Sequence, residues 1–269
     1  MNNLNVDTIL IGGKKKKVVT NGALPDTPDP RDKKLRTGWD LFSFIRPTIG
    51  VGFTDWKPWM GNIRDQGPDG ACTGFATVAA IEALMYHNRG IVVDLSEEMA
   101  YNYAKEYDEW PGNSYEGSSL RGCLKGVYKH GVCGESMWPY NPMKISKPNI
   151  NFMKDAFRYR IKAYKSLSFG PLGNKIDPYE IARALKRSPV IIAMLLPSTF
   201  NTVDKTGIVA ASAPQGEMGH AMCITGYNPE TELFQIRNSW GESWGSKGYC
   251  YMNAGLVKVC AFSAWTIRL

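Results

Sequence analysis

The sequence predicts an α+β protein, with helices early in the chain and antiparallel strands late. Three observations carry that expectation. Apolar residues recur at helical spacing in the stretch from 72 to 128. Short apolar runs, separated by turn residues, follow from residue 190 onward. A basic, proline-bearing stretch precedes both and has the composition of neither. At 269 residues the chain is one large domain or two small lobes, with ample mass for a core.

The first helix is expected over 72–88, where Phe75, Val78, Ala79, Ala83 and Met85 or Tyr86 make a stripe. Ser96-Glu97-Glu98 reads as the capped start of a second helix running to about Tyr107, with acids in its first turn. Leu120, Cys123, Leu124, Val127 and Tyr128 keep helical spacing, and Gly131 is a plausible stop. Asp177-Pro178-Tyr179-Glu180 resembles a capping box with proline at the first helical position, and that helix should end before Pro189. Strands are expected at Val190–Leu196, His220–Tyr227, Leu233–Asn238, Gly248–Met252 and about Ala264–Ile267. A helical first lobe then meets a β-rich second one, and their junction is where a cleft forms.

Residues 1 to about 48 stand apart. They carry Lys14 to Lys17 and the run Leu24-Pro25-Asp26-Thr27-Pro28-Asp29-Pro30, which proline keeps extended or turned. A lysine run of this kind reads first as a solvated tail, with a contact to nucleic acid or an anionic membrane as the alternative. No nucleic-acid-binding motif accompanies it, so no nucleic-acid partner is expected. No stretch is long enough to span a bilayer, and Ile9-Leu10-Ile11 is too short for a signal sequence. The net charge of +7 is mild for this length.

The six cysteines are Cys72, Cys123, Cys133, Cys223, Cys250 and Cys260. None forms a CxxC pair, so no zinc or other metal site is expected. Mostly reduced thiols and a cytoplasmic setting are the expectation, with unconventional export as an alternative. The rival reading is one disulfide between Cys123 and Cys133.

Three side chains suggest chemistry. Cys72 follows the turn Gly67-Pro68-Asp69-Gly70 at a helix start, where free N–H groups favour a thiolate. Gly70 also leaves room for close backbone approach of a ligand. His220 opens an apolar run, and Asn238 heads Asn238-Ser239-Trp240-Gly241. Read singly, Cys72 is an ordinary buried residue, His220 a core histidine and the Asn238 segment a glycine-rich turn with packing tryptophans. Read together, they are the parts of a nucleophile, its base and the base's orienter. Gln66, six residues before the thiol, could join the Cys72 N–H in holding an oxyanion. His87 and His130 sit at predicted helix ends and read as partners of the helix dipole.

Gln66-Gly67, Cys72, Gly219-His220-Ala221, Asn238 through Gly245, and Gly248-Tyr249 together resemble the papain-like cysteine peptidases, over about residues 50 to 269. The separations of His220 and Asn238 from Cys72 are similar to that family's. The resemblance implies two lobes, a helical left one and an antiparallel β-barrel-like right one, with a peptide bound in the cleft between. It implies a thiolate–imidazolium pair, an acyl-enzyme thioester, polypeptide substrates and no cofactor. Carried over by position, Cys72 is the nucleophile, His220 the base and acid, Asn238 its orienter, and Gln66 the oxyanion donor. Trp240 covers the His220–Asn238 bond. Gly117 and Ser118 contact substrate backbone, Met218 and Gly219 shape a substrate pocket, and Trp265 closes its floor.

Two departures matter. Thr73 stands where the family usually has an aromatic residue, and Asp69 where it has a half-cystine. A bacterial, archaeal or viral branch is the expectation, with residues 1–48 as a prosegment or cleft-blocking strap and 49–269 as the peptidase domain. Within the latter, about 49–150 should be mainly helical and about 151–269 mainly β. A plain disordered tail is the alternative for the leader, and Lys14 to Lys17 could be a processing site. The same parts could transfer an acyl group to an amine or act on isopeptides. A non-catalytic papain-like scaffold that grips peptides is the competing class. A monomer is expected.

Overall fold

The computed structural model describes residues 6–11, 14–19, 22–27, 29–35, 52–110, 116–142, 147–169, 175–212 and 219–269. Its centre is α1 (Cys72–Arg89), buried at every residue from Cys72 through Met85. The sequence pattern suggests a one-sided stripe, but α1 is covered on both sides. Helix α2 (Glu97–Tyr107) and helix α3 (Leu120–His130) pack on one side and the main sheet on the other. Such a position favours the small residues Ala76, Ala79, Ala80 and Ala83, which let neighbours come close.

Caps fix the helix ends where the side chains call for them. The Ser96 Oγ accepts the Met99 N–H at 3.0 Å at the start of α2, and the Ser119 Oγ accepts that of Gly122 at 3.1 Å at the start of α3. Gly90 ends α1 in the left-handed region, at φ 66°.

The main sheet has seven strands. Six run in the order β12 (Tyr249–Asn253), β11 (Leu233–Arg237), β10 (Gly219–Asn228), β9 (Val190–Leu195), β13 (Ala261–Arg268), β6 (Ala163–Ser166); β4 (Thr54–Asp55) also pairs with β10. All these pairings are antiparallel. Strand β9 is buried throughout, which explains its unbroken apolar run. Around the sheet lie α4 (Phe152–Ala156), the small pair β7 (Ser168–Phe169) and β8 (Lys175–Ile176), α5 (Pro178–Ala184) and α6 (Ala254–Cys260). Asp177 caps α5 as its sequence suggests, through the Tyr179 N–H at 2.9 Å.

The leader contains strands. Lys14–Val19 is strand β2, paired antiparallel with β1 (Val6–Ile11). A further strand, β3 (Gly22–Leu24), pairs in parallel with β5 (Gly117–Ser119) on the body. The chain then crosses to the sheet, where Lys34 bridges Ser166. The six cysteines are free and buried, so Cys123 and Cys133 are not joined. Among the described residues no helix is long and apolar enough to cross a membrane.

Candidate active site

Cys72 is the first residue of α1. The backbone N–H groups of Ala221, Thr73 and Cys72 itself are aimed at its sulfur. The first of these belongs to the residue after His220, so β10 brings the predicted base to the edge of the predicted nucleophile. The turn before α1 is held by backbone contact: a side chain at Gly70 would collide with the Gly117 backbone. The closeness that Gly70 permits is therefore spent on β5, not on a ligand.

His220 pairs with Met194 of β9, while Asn238 directly follows β11. The His220 Nε2 lies 2.7 Å from the Asn238 Oδ1. The Ser239 N–H donates to that same Oδ1 at 2.8 Å. An atom accepting from a backbone N–H is the oxygen of the amide, so Nε2 must carry the ring proton. That leaves Nδ1 to exchange a proton with a thiol.

Aromatic rings cover this bond. Trp240 lies tilted on the His220 ring, with centroids 4.8 Å apart. Phe200 meets the Trp240 ring edge-on at 5.4 Å and lies tilted against Trp244 at 4.9 Å. His220 and Asn238 are each 3% exposed. Phe200 was not legible as part of the site, since nothing in Ser198-Thr199-Phe200-Asn201 marks it.

Gln66 is nearly buried. Its Oε1 accepts the Ser239 O–H at 2.6 Å, and its Nε2 donates to the Asp69 carbonyl at 2.7 Å. Tyr140 fixes the Gln66 backbone through a 2.7 Å bond to its carbonyl. An amide nitrogen has two N–H bonds, and the Asp69 contact uses one of them.

The electrostatics differ from the expected thiolate–imidazolium pair. Burial pushes the Cys72 thiol up to about 12, against the pull of the three N–H groups. Burial pushes the His220 imidazole down to about 4, against its bond to Asn238. Both groups are neutral at pH 7 in this conformation.

Part of the leader lies beside this site. Strand β3 runs between β5 and the start of β10, with Gly22 opposite Gly117 and Ala23 opposite Ser118. A side chain at Gly22 would strike the Gly219 carbonyl, and one at Gly219 would strike the Ala23 carbonyl. Ala23 and Leu24 are 0% and 1% exposed, and Cys72 is 0% exposed beneath them. Beyond β3, the Asp26 carboxyl accepts from the Trp265 Nε1–H at 2.9 Å, the Arg121 N–H at 2.9 Å and the Ser263 hydroxyl.

Gly117, Ser118, Gly219 and Trp265, expected to touch a substrate, are thus brought together around β3 and Asp26. Met218 lies outside the described residues. Among the described residues no group of His, Cys, Asp and Glu is arranged to hold a metal ion.

The profile of the papain family of cysteine proteases matches residues 53–266. This chain belongs to the papain family. An uncharacterised peptidase C1-like protein of Acanthamoeba polyphaga mimivirus is 31% identical over 86% of this chain and 80% of its own. Fruit bromelain of Ananas comosus is 26% identical over 75% of this chain but 54% of its own length. Several curated plant, mite and amoebal relatives are likewise longer, this chain spanning 44–60% of them. Among solved structures, xylellain, a cysteine protease from Xylella fastidiosa, superposes with a TM-score of 0.75 at 25% identity, covering 95% of this chain and 98% of its own. The viral and bacterial relatives agree with the branch expected from Thr73 and Asp69. This papain-family chain has the expected α+β fold of helices and a mostly antiparallel sheet.

Proposed function

We propose that this chain is a cysteine endopeptidase whose N-terminal segment holds it closed. Cys72 is the nucleophile, and His220 takes its proton through Nδ1. The thiolate attacks a peptide carbonyl. The Cys72 N–H and the second N–H of Gln66 stabilise the resulting oxyanion. The imidazolium then donates its proton to the leaving amine, giving a thioester that water hydrolyses with His220 as base. Asn238 keeps the ring orientation through both halves of the reaction, adding no charge that would compete with the thiolate.

The observation that carries this reading is the convergence at the α1–β10 junction. The Ala221 N–H faces the Cys72 sulfur, and the neighbouring His220 is fixed 2.7 Å from the Asn238 oxygen. Autoinhibition is supported by the position of β3. It fills the space between Gly117 and Gly219, beside reacting groups that are 0% and 3% exposed. The charged pair then forms only when the strap lifts and the site is rehydrated. Pro25, just after β3, has no N–H to extend the strand pairing.

The test is labelling by a peptidyl epoxide of the protein with its strap opened by Gly22→Val, followed by mass mapping. A single adduct on Cys72 is expected, at a rate far above that of a free thiol in a denatured control, and none in Cys72→Ala. Labelling no faster than the denatured thiol would instead support the peptide-gripping scaffold without turnover.

A further inference from the structure

Asp26 shows what its pocket accepts. The Trp265 Nε1–H and the Ser263 hydroxyl converge on one carboxyl oxygen, and the Arg121 N–H meets the other. Each is a donor toward Asp26. The Ser263 oxygen is already accepting from Trp265, at 2.9 Å. Both ends of an incoming side chain must therefore accept hydrogen bonds. A carboxyl does so. A carboxamide would bring an NH2 against one of the donors, and an apolar side chain would leave the Ser263 hydroxyl and the Arg121 N–H without these partners and Trp265 with its bond to Ser263 alone.

The surrounding charges point the same way. The Arg121 guanidinium donates to Asp32 at 2.9 Å, to Glu109 at 3.0 Å and to Asp29. Asp29 and Asp32 belong to the strap, as Asp26 does. When the strap leaves, Arg121 keeps only Glu109 of these three, and Lys125 already shares that carboxylate at 3.7 Å. The opened face beside the pocket is then cationic, with Arg121, Lys125, Lys129 and Lys162 around one depression. The strap brings Asp29 and Asp32 to it, together with Arg31, which pairs with Asp29 at 2.7 Å, and Lys33.

We propose that the pocket formed by Trp265, Ser263 and the Arg121 backbone selects polypeptide substrates with an acidic side chain, for which Asp26 stands in while the strap is closed. This rests on the peptidase reading for turnover, but the binding preference can be read without turnover.

The experiment uses the full chain carrying Asp26→Leu or Asp26→Asn, with iodoacetamide labelling of Cys72 as the report of opening. Both variants should label about tenfold faster than the parent protein or more, because either side chain leaves donors unsatisfied. A leucine that protects Cys72 as well as the aspartate does would overturn the proposal. In the Asp26→Leu protein, blocked octapeptides with Asp, Asn or Leu at each position in turn are then added. At one position, Asp peptides should protect Cys72 at concentrations about tenfold lower than Asn or Leu peptides, and Trp265→Phe should shrink that margin. Equal protection by Leu peptides would also overturn it. Protection without cleavage products would count against the peptidase reading and leave the acidic preference standing.

Discussion

The Ala23 carbonyl lies against the backbone of Gly219, so close that no side chain fits there. One residue further along the chain is His220. On the reading proposed above, the leader occupies the space a bound peptide would need, and Gly22, Gly117 and Gly219 stand where its backbone crowds that of the body. On that reading the covering also accounts for the burial that keeps Cys72 and His220 neutral.

Replacing Gly22 tests the covering directly. A valine there would drive its methyl groups into the Gly219 carbonyl, and the strap would have to shift. In Gly22→Val, labelling of Cys72 and cleavage of a peptide library should rise together, by about tenfold for each ~1.4 kcal/mol of lost closure. A variant that is folded by circular dichroism yet labels at the parent rate would remove the case for autoinhibition.

Asn238 and Gln66 should separate by kinetics. Asn238→Ala leaves the imidazole free to turn and to exchange tautomers, so kcat should fall by about 10²-fold or more, with a displaced pH profile. Gln66→Ala removes one oxyanion donor. It should lower kcat by about 10²-fold while leaving the epoxide labelling rate nearer the parent value, since ring opening develops no carbonyl oxyanion. Equal losses in both assays for Gln66→Ala would assign it to holding the Ser239 segment instead.

The pH dependence of opening should come from Asp26 and not from the reacting pair. Closed, the pair holds one proton between about pH 4 and about pH 12, on the sulfur. Open, a thiolate–imidazolium pair also holds one proton, on the ring. Equal proton counts give no slope. Asp26 differs, because burial raises its pKa above 3.8 in the closed form despite its hydrogen bonds from Ser263, Arg121 and Trp265. The closed strap then keeps a proton that the open one releases. Closure is fully supported below that ordinary value and weakens as pH climbs through the raised one. The ratio of opening in the parent to that in Asp26→Asn should thus grow with pH. Asp29 and Asp32 remain in both proteins and cancel from the ratio. A ratio constant with pH would contradict this account.

Much of the site was legible because its chemistry resides in residue type and order. Cys72, Gln66, His220 and Asn238 each carry a functional group that means little singly and much in sequence. The capped helices were legible for a similar reason: Ser96 and Asp177 act on N–H groups two or three residues away. Strand β3 was not. Gly-Ala-Leu is too short to show a period, and its partners at 117–119 and 219 are far along the chain. The neutral state of the pair was equally hidden, since it depends on a segment whose proline-rich composition suggests a strap but cannot say where the strap lies. The complete burial of α1 also escaped, because its alanines weaken the stripe that a one-sided helix would show.

The loop bearing Gln66 should depend on a buried ion cluster. Arg64, two residues before it, donates to Glu82 at 3.0 Å, to Glu97, to Asp94 and to the Leu95 carbonyl at 3.2 Å. The Glu82 and Glu97 side chains are 5% and 4% exposed, whereas that of Asp94 is 70% exposed. Arg64→Met would take from the buried Glu82 carboxyl its hydrogen-bonded cation and leave Arg237 as the charge nearby, a change that typically costs about 3–5 kcal/mol. For a chain of this size that is roughly a 10 °C fall in Tm. Adding Glu97→Gln should change this little at pH 7, because burial pushes the Glu97 carboxyl up to about 8 and it stands mostly protonated there. Because Glu82 lies on α1 and Glu97 on α2, the cluster ties the Gln66 loop to both helices. Arg64→Met, assayed well below its lowered Tm, should therefore lose kcat in the same sense as Gln66→Ala, though by less. Unchanged kcat in a destabilised Arg64→Met would confine the cluster to stability.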